Sequence, residues 1–232
     1  MTEHPALTLF CAVALRGAVE HALLPAFTRD TGIAVEARFA PTSALVQEID
    51  AGARPDVVLG ITAALERFAA AGILDAGSLT PLAQAGIGVA VPPGAAVPDI
   101  STVEALTAAL TAARSVAYSR NGPSGIYFAK LLQELGIAGQ VTEQATVVDT
   151  GFTALALLDG RADLAIQQMS ELLSVPEAEI AGPLPAEIQH YTAFSAGTAP
   201  GTGRHDAGAL VAYLAGEPAK AAYAAAGLEP AG

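Results

Sequence analysis

The residues best suited to chemistry lie in the stretch Tyr118–Tyr127, which reads YSRNGPSGIY. Arg120 carries a planar donor fork that fits carboxylates and oxyanions. Pro123 suits a first helical turn, and Ser119, Asn121 or Ser124 are the available caps. A helix start presents unpaired backbone N–H groups and a positive dipole end, so Ser124–Gly125 reads as an anion-binding turn. The plainer alternative is an ordinary capped helix with an exposed Arg.

The same kind of turn recurs. Ala14–Leu15–Arg16–Gly17, Thr42–Ser43 and Asp149–Thr150–Gly151 each follow an apolar run and precede a helical pattern. In open parallel sheets, ligands gather where strands end and helices start. The set offers backbone N–H groups, hydroxyls, and the guanidiniums of Arg16 and Arg120, which suit a small oxyanion or carboxylate. Ser and Thr at these places also serve as plain caps. Gln167–Gln168 ends another buried run, and two amides there fit either a cleft, a hinge or a polar strand end. Glu171 reads first as an exposed helical residue, with a general base as the less favoured alternative.

These turns need elements to hold them. Leu7–Val13, Ile33–Phe39 and Asp56–Gly60 read as strands, with helices after Arg16, over Leu45–Ile49 and over Ala63–Ala71. That order implies a parallel sheet with right-handed crossovers. The middle third repeats the alternation: strands at Gly86–Val91, Ser115–Tyr118, Val141–Val148 and Leu164–Ile166, helices at Val103–Ala113, after Pro123 and over Thr150–Leu158. Gly182–Pro183–Leu184–Pro185 reads as a loop. Tyr191–Ala196 is a last strand, followed by helices over Asp206–Leu214 and Pro218–Ala226. The closing segment is too small for a lobe of its own. The expected fold is therefore α/β with two lobes, each a mostly parallel sheet flanked by helices, and a ligand cleft between them. Residues 1–83 and 193–232 form the first lobe, and 84–192 the second.

Composition narrows the partners. A net charge of −12 without a basic run excludes nucleic acid and an anionic membrane surface as partners. The single cysteine, Cys11, forbids an intrachain disulfide, and its apolar setting LTLFCAVAL predicts a buried, quiet thiol. His4, His21, His190 and His205 lack metal-ligand spacing and read as surface or loop residues, so no metal is expected. No phosphate loop, dinucleotide fingerprint or nucleophile elbow is present, and no cofactor is expected. Met1–Pro5 has no leader character, and Leu7–Leu15 is too short to span a bilayer. As it stands the chain is expected in the cytoplasm without membrane insertion, or in the periplasm if a leader has been removed.

The run LFCAVALRGAVEHALLPAFTRDTGIAVEARFAPTSALVQEIDAGARPDVVLG resembles the start of the periplasmic molybdate-binding proteins of ABC importers. YSRNGPSGIYFAKLLQELGI is similar to that family's second-lobe anion turn, and ALALLDGRADLAIQ continues the likeness. The resemblance implies the type II periplasmic-binding-protein fold. It places the family's first-turn serine at Ala14, where the hydroxyl is missing, and its second-turn serine at Thr42, beside Ser43. Its second-lobe backbone donors fall near Ser124 and Gly151, and its tyrosine falls near Gln168. GPSGIYFAKLLQELGI, IQQMSELL and GPLPAEIQ are similar to a branch that includes proteins like aconitate isomerase.

Three functions follow as expectations. The first is binding of a small anion, an oxyanion or an organic polycarboxylate. An ABC transporter permease is the partner expected if the chain is exported. The second is isomerisation of a polycarboxylate such as aconitate, with the catalytic residue unassigned. The third is a cytoplasmic ligand sensor.

Overall fold

In the computed structural model, residues 6–201 and 205–232 are described. His4 and the rest of Met1–Pro5 lie outside the described residues. From the start the elements are β1 (Leu7–Ala12), α1 (Arg16–Ala18), α2 (Leu24–Thr31), β2 (Val35–Ala40), α3 (Thr42–Asp50), β3 (Val57–Ile61) and α4 (Thr62–Ala70). Next come β4 (Thr80–Val91), α5 (Val103–Ala112), β5 (Val116–Ser119), α6 (Pro123–Glu134), α7 (Ala138–Glu143), β6 (Thr146–Val148) and α8 (Leu155–Leu158). The chain closes with β7 (Leu164–Gln168), α9 (Met169–Leu172), β8 (Glu179–Pro183), β9 (Tyr191–Thr198), α10 (His205–Leu214), α11 (Glu217–Ala225) and β10 (Glu229–Pro230). Two compact units result: Met1–Gln84 with Ala193–Gly232, and Ala85–Thr192. The chain passes from one to the other within β4 and again within β9.

In the first unit β1 lies between β2 and β3, parallel to both, with Leu9 opposite Ala37 on one side and Val57 on the other. β9 closes on β3 in the antiparallel sense, pairing Ser195 with Gly60. Leu7, Leu9 and Cys11 are buried, as are Val57, Val58 and Leu59. Ile49 of α3 and Leu65 and Phe68 of α4 cover one face of this sheet with Val58 and Leu74. Each fully buried side chain of this size contributes ~1.5–3 kcal/mol. Phe27 of α2 meets Tyr213 of α10 edge to face at 5.4 Å. A π-helical turn, Val19–Leu23, joins α1 to α2. Pro25 follows it and has no N–H to continue the regular ladder.

In the second unit β5 lies between β6 and β7, parallel to both, while β4 runs antiparallel to β7 and β8. The side-chain alternation of the strands sorts two cores. Val116, Tyr118, Leu164 and Ile166 face one way and pack with Phe128, Leu131 and Leu132 of α6. Ala90, Ala117 and Ala165 face the other way, and Leu157 of α8 and Leu172 of α9 sit over them. The small side chains let these two short helices approach the sheet closely.

Four sequence expectations change. The sheets are mixed rather than mostly parallel, because β4, β9 and β10 run against their neighbours. Val141–Val148 is not one strand: α7 covers Ala138–Glu143 and β6 begins at Thr146. Ile137, Ala138 and Val141 all pack into the α6 core, an i, i+1, i+4 spacing that one helix face permits and strand alternation does not. Thr150–Leu158 is not one helix, since only Leu155–Leu158 is helical. Gly151 takes a left-handed φ of 89°, and the Thr153 N–H is taken by the Gln167 side chain. Gly182–Pro183 belongs to β8 rather than to a loop, because it pairs across a bulge with β4.

Candidate functional site

β1 ends in a single 3-10 turn, Val13–Leu15, that buries Ala14. Arg16 opens α1 on the surface. Its Nε donates to Glu20 at 2.5 Å, and its guanidinium lies 5.5 Å from the Phe39 ring centre. The hydrogen bond from Arg16 holds the Glu20 carboxyl below its ordinary range. Arg16 is therefore partly neutralised inside its own helix. Thr42 and Ser43 are the first residues of α3, whose N-cap is Pro41 with no side-chain cap bond. A Cβ placed on Gly60 would lie 3.5 Å from the Thr42 Cγ2, which puts Thr42 at the end of β3. Beside it, Thr62 opens α4 and its hydroxyl meets the buried Ser195 hydroxyl at 2.8 Å. Thr62 and Ser195 were not singled out from sequence. Their pairing depends on β9, which reaches β3 from far along the chain.

In the second unit the ends of β5, β6 and β7 bring the remaining residues together. Ser119 pairs with Val148 across β5 and β6. Its hydroxyl accepts the Gly122 N–H at 2.9 Å and so closes the turn before α6. The N-cap of α6 is Gly122, and no side chain caps the helix, so none of Ser119, Asn121 and Ser124 does so. Ser124 is buried. A Cβ on Gly125 would fall 1.7 Å from the Ser119 carbonyl oxygen, so the start of α6 rests directly on the end of β5. Only glycine permits that approach.

Arg120 bridges two strand ends. Its N–H donates to the Val148 carbonyl at 2.9 Å, and its Nε donates to Asp149 at 2.6 Å. Both side chains stay largely exposed, Arg120 at 59% and Asp149 at 67%. The guanidinium thus already holds one carboxylate, which a ligand anion would have to displace or share.

Gln167 and Gln168 divide their work. The Gln167 carbonyl oxygen accepts the Thr153 N–H at 2.7 Å and the Thr153 hydroxyl at 3.0 Å. Its amide nitrogen donates to the Gly151 carbonyl at 3.4 Å. Gln167 therefore fastens the loop of Gly151 to the end of β7. Gln168 is 2% exposed, and its side-chain nitrogen has no hydrogen-bond partner among the described residues. The Ser170 hydroxyl, on a residue 5% exposed, has none either. Buried polar groups of this kind are rare in native proteins.

Glu171 departs from its sequence reading. It is half-buried rather than exposed. Burial pushes its carboxyl up to about 7, against the smaller opposing pull of the Gln168 N–H and the Gln167 side chain. Gln168 is the N-cap of α9 and Glu171 the third helical residue, the spacing at which a glutamate reaches back to the cap N–H. The signal was present in the run QQMSE, but the packing of α9 against Gly88 of β4, through Met169 and Leu172, depends on a strand far along the chain. Cys11 is buried, and burial raises its thiol well above its ordinary value. Among the described residues no group of His, Cys, Asp and Glu has metal-binding spacing. Among the described residues no helix is long and apolar enough to cross a membrane either.

This architecture, α/β units with strand ends meeting helix starts, is that of the type II periplasmic binding proteins. The periplasmic molybdate-binding protein of Azotobacter vinelandii superposes with a TM-score of 0.77 at 21% identity, over 96% of this chain and 98% of that one. PEB3 of Campylobacter jejuni with bound L-phospholactate gives a TM-score of 0.71 at 15% identity, over 96% and 99%. The chain belongs to the bacterial extracellular solute-binding protein family, which matches residues 7–229. It is also 31% identical to an aconitate isomerase of Pseudomonas sp., over 97% of this chain and 87% of that protein.

Proposed function

We propose that this chain binds a small anion, an oxyanion or an organic polycarboxylate, with the strand-end turns as its binding elements. The proposed ligand residues are Ala14, Arg16, Thr42 and Ser43 in the first unit. In the second they are Ser119, Arg120, Ser124, Gly125, Gly151 and Gln168. The observation that carries the reading is the unpartnered pair at the end of β7, the Gln168 amide nitrogen and the Ser170 hydroxyl. A bound anion would supply the acceptor they lack. Membership in the solute-binding family supports it, as do solved relatives of the same fold named for molybdate and bound to phospholactate.

Within that reading we favour a carboxylate over a simple oxyanion. A tetrahedral oxyanion buried among neutral donors needs no arginine, whereas Arg120 beside the site suits a ligand with several carboxylates. The likeness to an aconitate isomerase along nearly the whole chain supports the same choice and makes isomerisation the second reading. A thermal-shift screen over molybdate, tungstate, sulfate, citrate and the aconitates tests both. A ligand at a hundred times its dissociation constant stabilises by about 2.7 kcal/mol. A rise with citrate or an aconitate and none with the inorganic ions is the expected result. No response to any of these anions would defeat the proposal.

A further inference from the structure

We infer that Glu171 carries the proton in an allylic exchange on an unsaturated polycarboxylate, with Gln168 and Ser170 holding the carboxylate next to the reacting carbon. This rests on the reading above that the ligand is a carboxylate.

The three groups fall within one turn. β7 delivers Gln168 at its end, and the first turn of α9 delivers Ser170 and Glu171. A capping role accounts for the bond from Glu171 to the Gln168 N–H. It does not account for two buried polar atoms of the same turn, the Gln168 amide nitrogen and the Ser170 hydroxyl, left without partners among the described residues. A carboxylate accepting from the Gln168 amide and the Ser170 hydroxyl would satisfy both. It would also bring its α-carbon to the one carboxyl group in this turn. No charge opposes or neutralises that carboxyl from the packed elements: β4 and β7 carry no ionisable side chain, and Glu179 of β8 is engaged by the Gly94 N–H at 2.7 Å. Burial leaves the group titrating at about 7, where a carboxylate is basic enough to take a proton and acidic enough to return it.

The step balances within the substrate. The Glu171 carboxylate removes a proton from a methylene carbon that is both α to a carboxylate and allylic to the double bond. The C–H electron pair becomes the new C=C bond. The old π pair moves to the far carbon, which takes the proton back from Glu171. The carboxyl ends as it began, and no oxidant, reductant or co-substrate enters. Charge that develops on the substrate carboxylate during proton removal faces the Gln168 and Ser170 donors.

The test uses the full chain with trans-aconitate in deuterium oxide, followed by proton NMR. The native protein should exchange the methylene protons and form the cis isomer, with a rate that rises with pH through about 7. Glu171→Gln keeps a side chain that can cap the helix. It should bind trans-aconitate with unchanged affinity and lose roughly a hundredfold or more in exchange. Ser170→Ala should raise KM and leave the pH inflection in place. Native-rate exchange by Glu171→Gln would overturn the assignment. So would a native protein that binds trans-aconitate and never exchanges it, although anion binding would then stand. Failure to bind either trans-aconitate or citrate would remove the carboxylate reading underneath as well.

Discussion

Replacing Glu171 by Gln should change how stability depends on pH, whether or not a ligand is present. The carboxyl moves from an ordinary 4.5 to about 7 on folding, with burial as the main cause. The folded state therefore holds this proton more tightly than the unfolded chain. Stability from that proton is fully present below about pH 4.5 and is lost as pH rises to about 7. The difference of about 2.5 units, 7 less 4.5, corresponds to about 3 kcal/mol at 1.36 kcal/mol per unit. Glutamine stays neutral throughout and can keep the bond to the Gln168 N–H, so it mimics the protonated form. The two proteins should melt together at the acid end of the range. By pH 8 the variant should be the more stable, with a melting point higher by roughly 6–12 °C at about 2–4 °C per kcal/mol. Thermal unfolding of both proteins from pH 4.5 to 8.5 measures the difference directly. Other carboxylates titrate in both proteins and cancel in the comparison. A difference that stays flat across this window, or that grows toward acid, would refute the burial argument for Glu171.

Further outcomes follow from the same geometry. Ser170→Ala removes a buried hydroxyl without a partner and should stabilise the protein by about 1 kcal/mol, read by chemical denaturation. Gly125→Ala should destabilise by about 3 kcal/mol or prevent folding, because its Cβ would sit 1.7 Å from the Ser119 carbonyl. Gly139→Ala is the control, since nothing lies within 4 Å of its Cβ and a helical Gly→Ala change is worth roughly +0.5–1 kcal/mol. Asp149→Asn should free Arg120 and tighten binding of a polycarboxylate, with stability changed by no more than about 1 kcal/mol, as for an exposed ion pair. Cys11 should react with a thiol reagent only as fast as the protein unfolds, because it is fully buried.

Much of the fold was legible because local pattern and global packing agree. In α6 the spacing of Phe128, Leu131 and Leu132 that reads as a helix is the spacing that meets the sheet. β3 is a continuous apolar run, and its first four residues, Val57 to Gly60, are all buried. The errors arose where a distant partner decides. Val141 has a strand former's side chain, yet it packs into the α6 core together with the adjacent pair Ile137 and Ala138, which only a helix can turn to one face. Thr150–Leu158 has helical composition, but the Gln167 side chain from β7 takes the N–H that a helix start would leave free. For the site, the turns were visible and their occupancy was not. Arg120 is tied to Asp149, 29 residues on, through a strand pairing that no local window contains. Arg16 and Glu20 sit at helical spacing, so that pair was within reach of the sequence. Glu171 looks like a surface residue until α9 is set against β4.

The most direct measurement is a calorimetric titration of the strongest-binding anion into the native protein, Arg120→Ala and Arg38→Ala side by side. Arg38 pairs with Glu48 on the surface of the first unit, so its removal changes net charge by the same amount away from the proposed turn. A guanidinium bond to a ligand carboxylate contributes about 1.5–3 kcal/mol. Arg120→Ala should therefore weaken binding roughly ten- to a hundredfold, while Arg38→Ala binds as the native protein does. Equal affinities for the two variants would contradict the assignment of the anion to this turn.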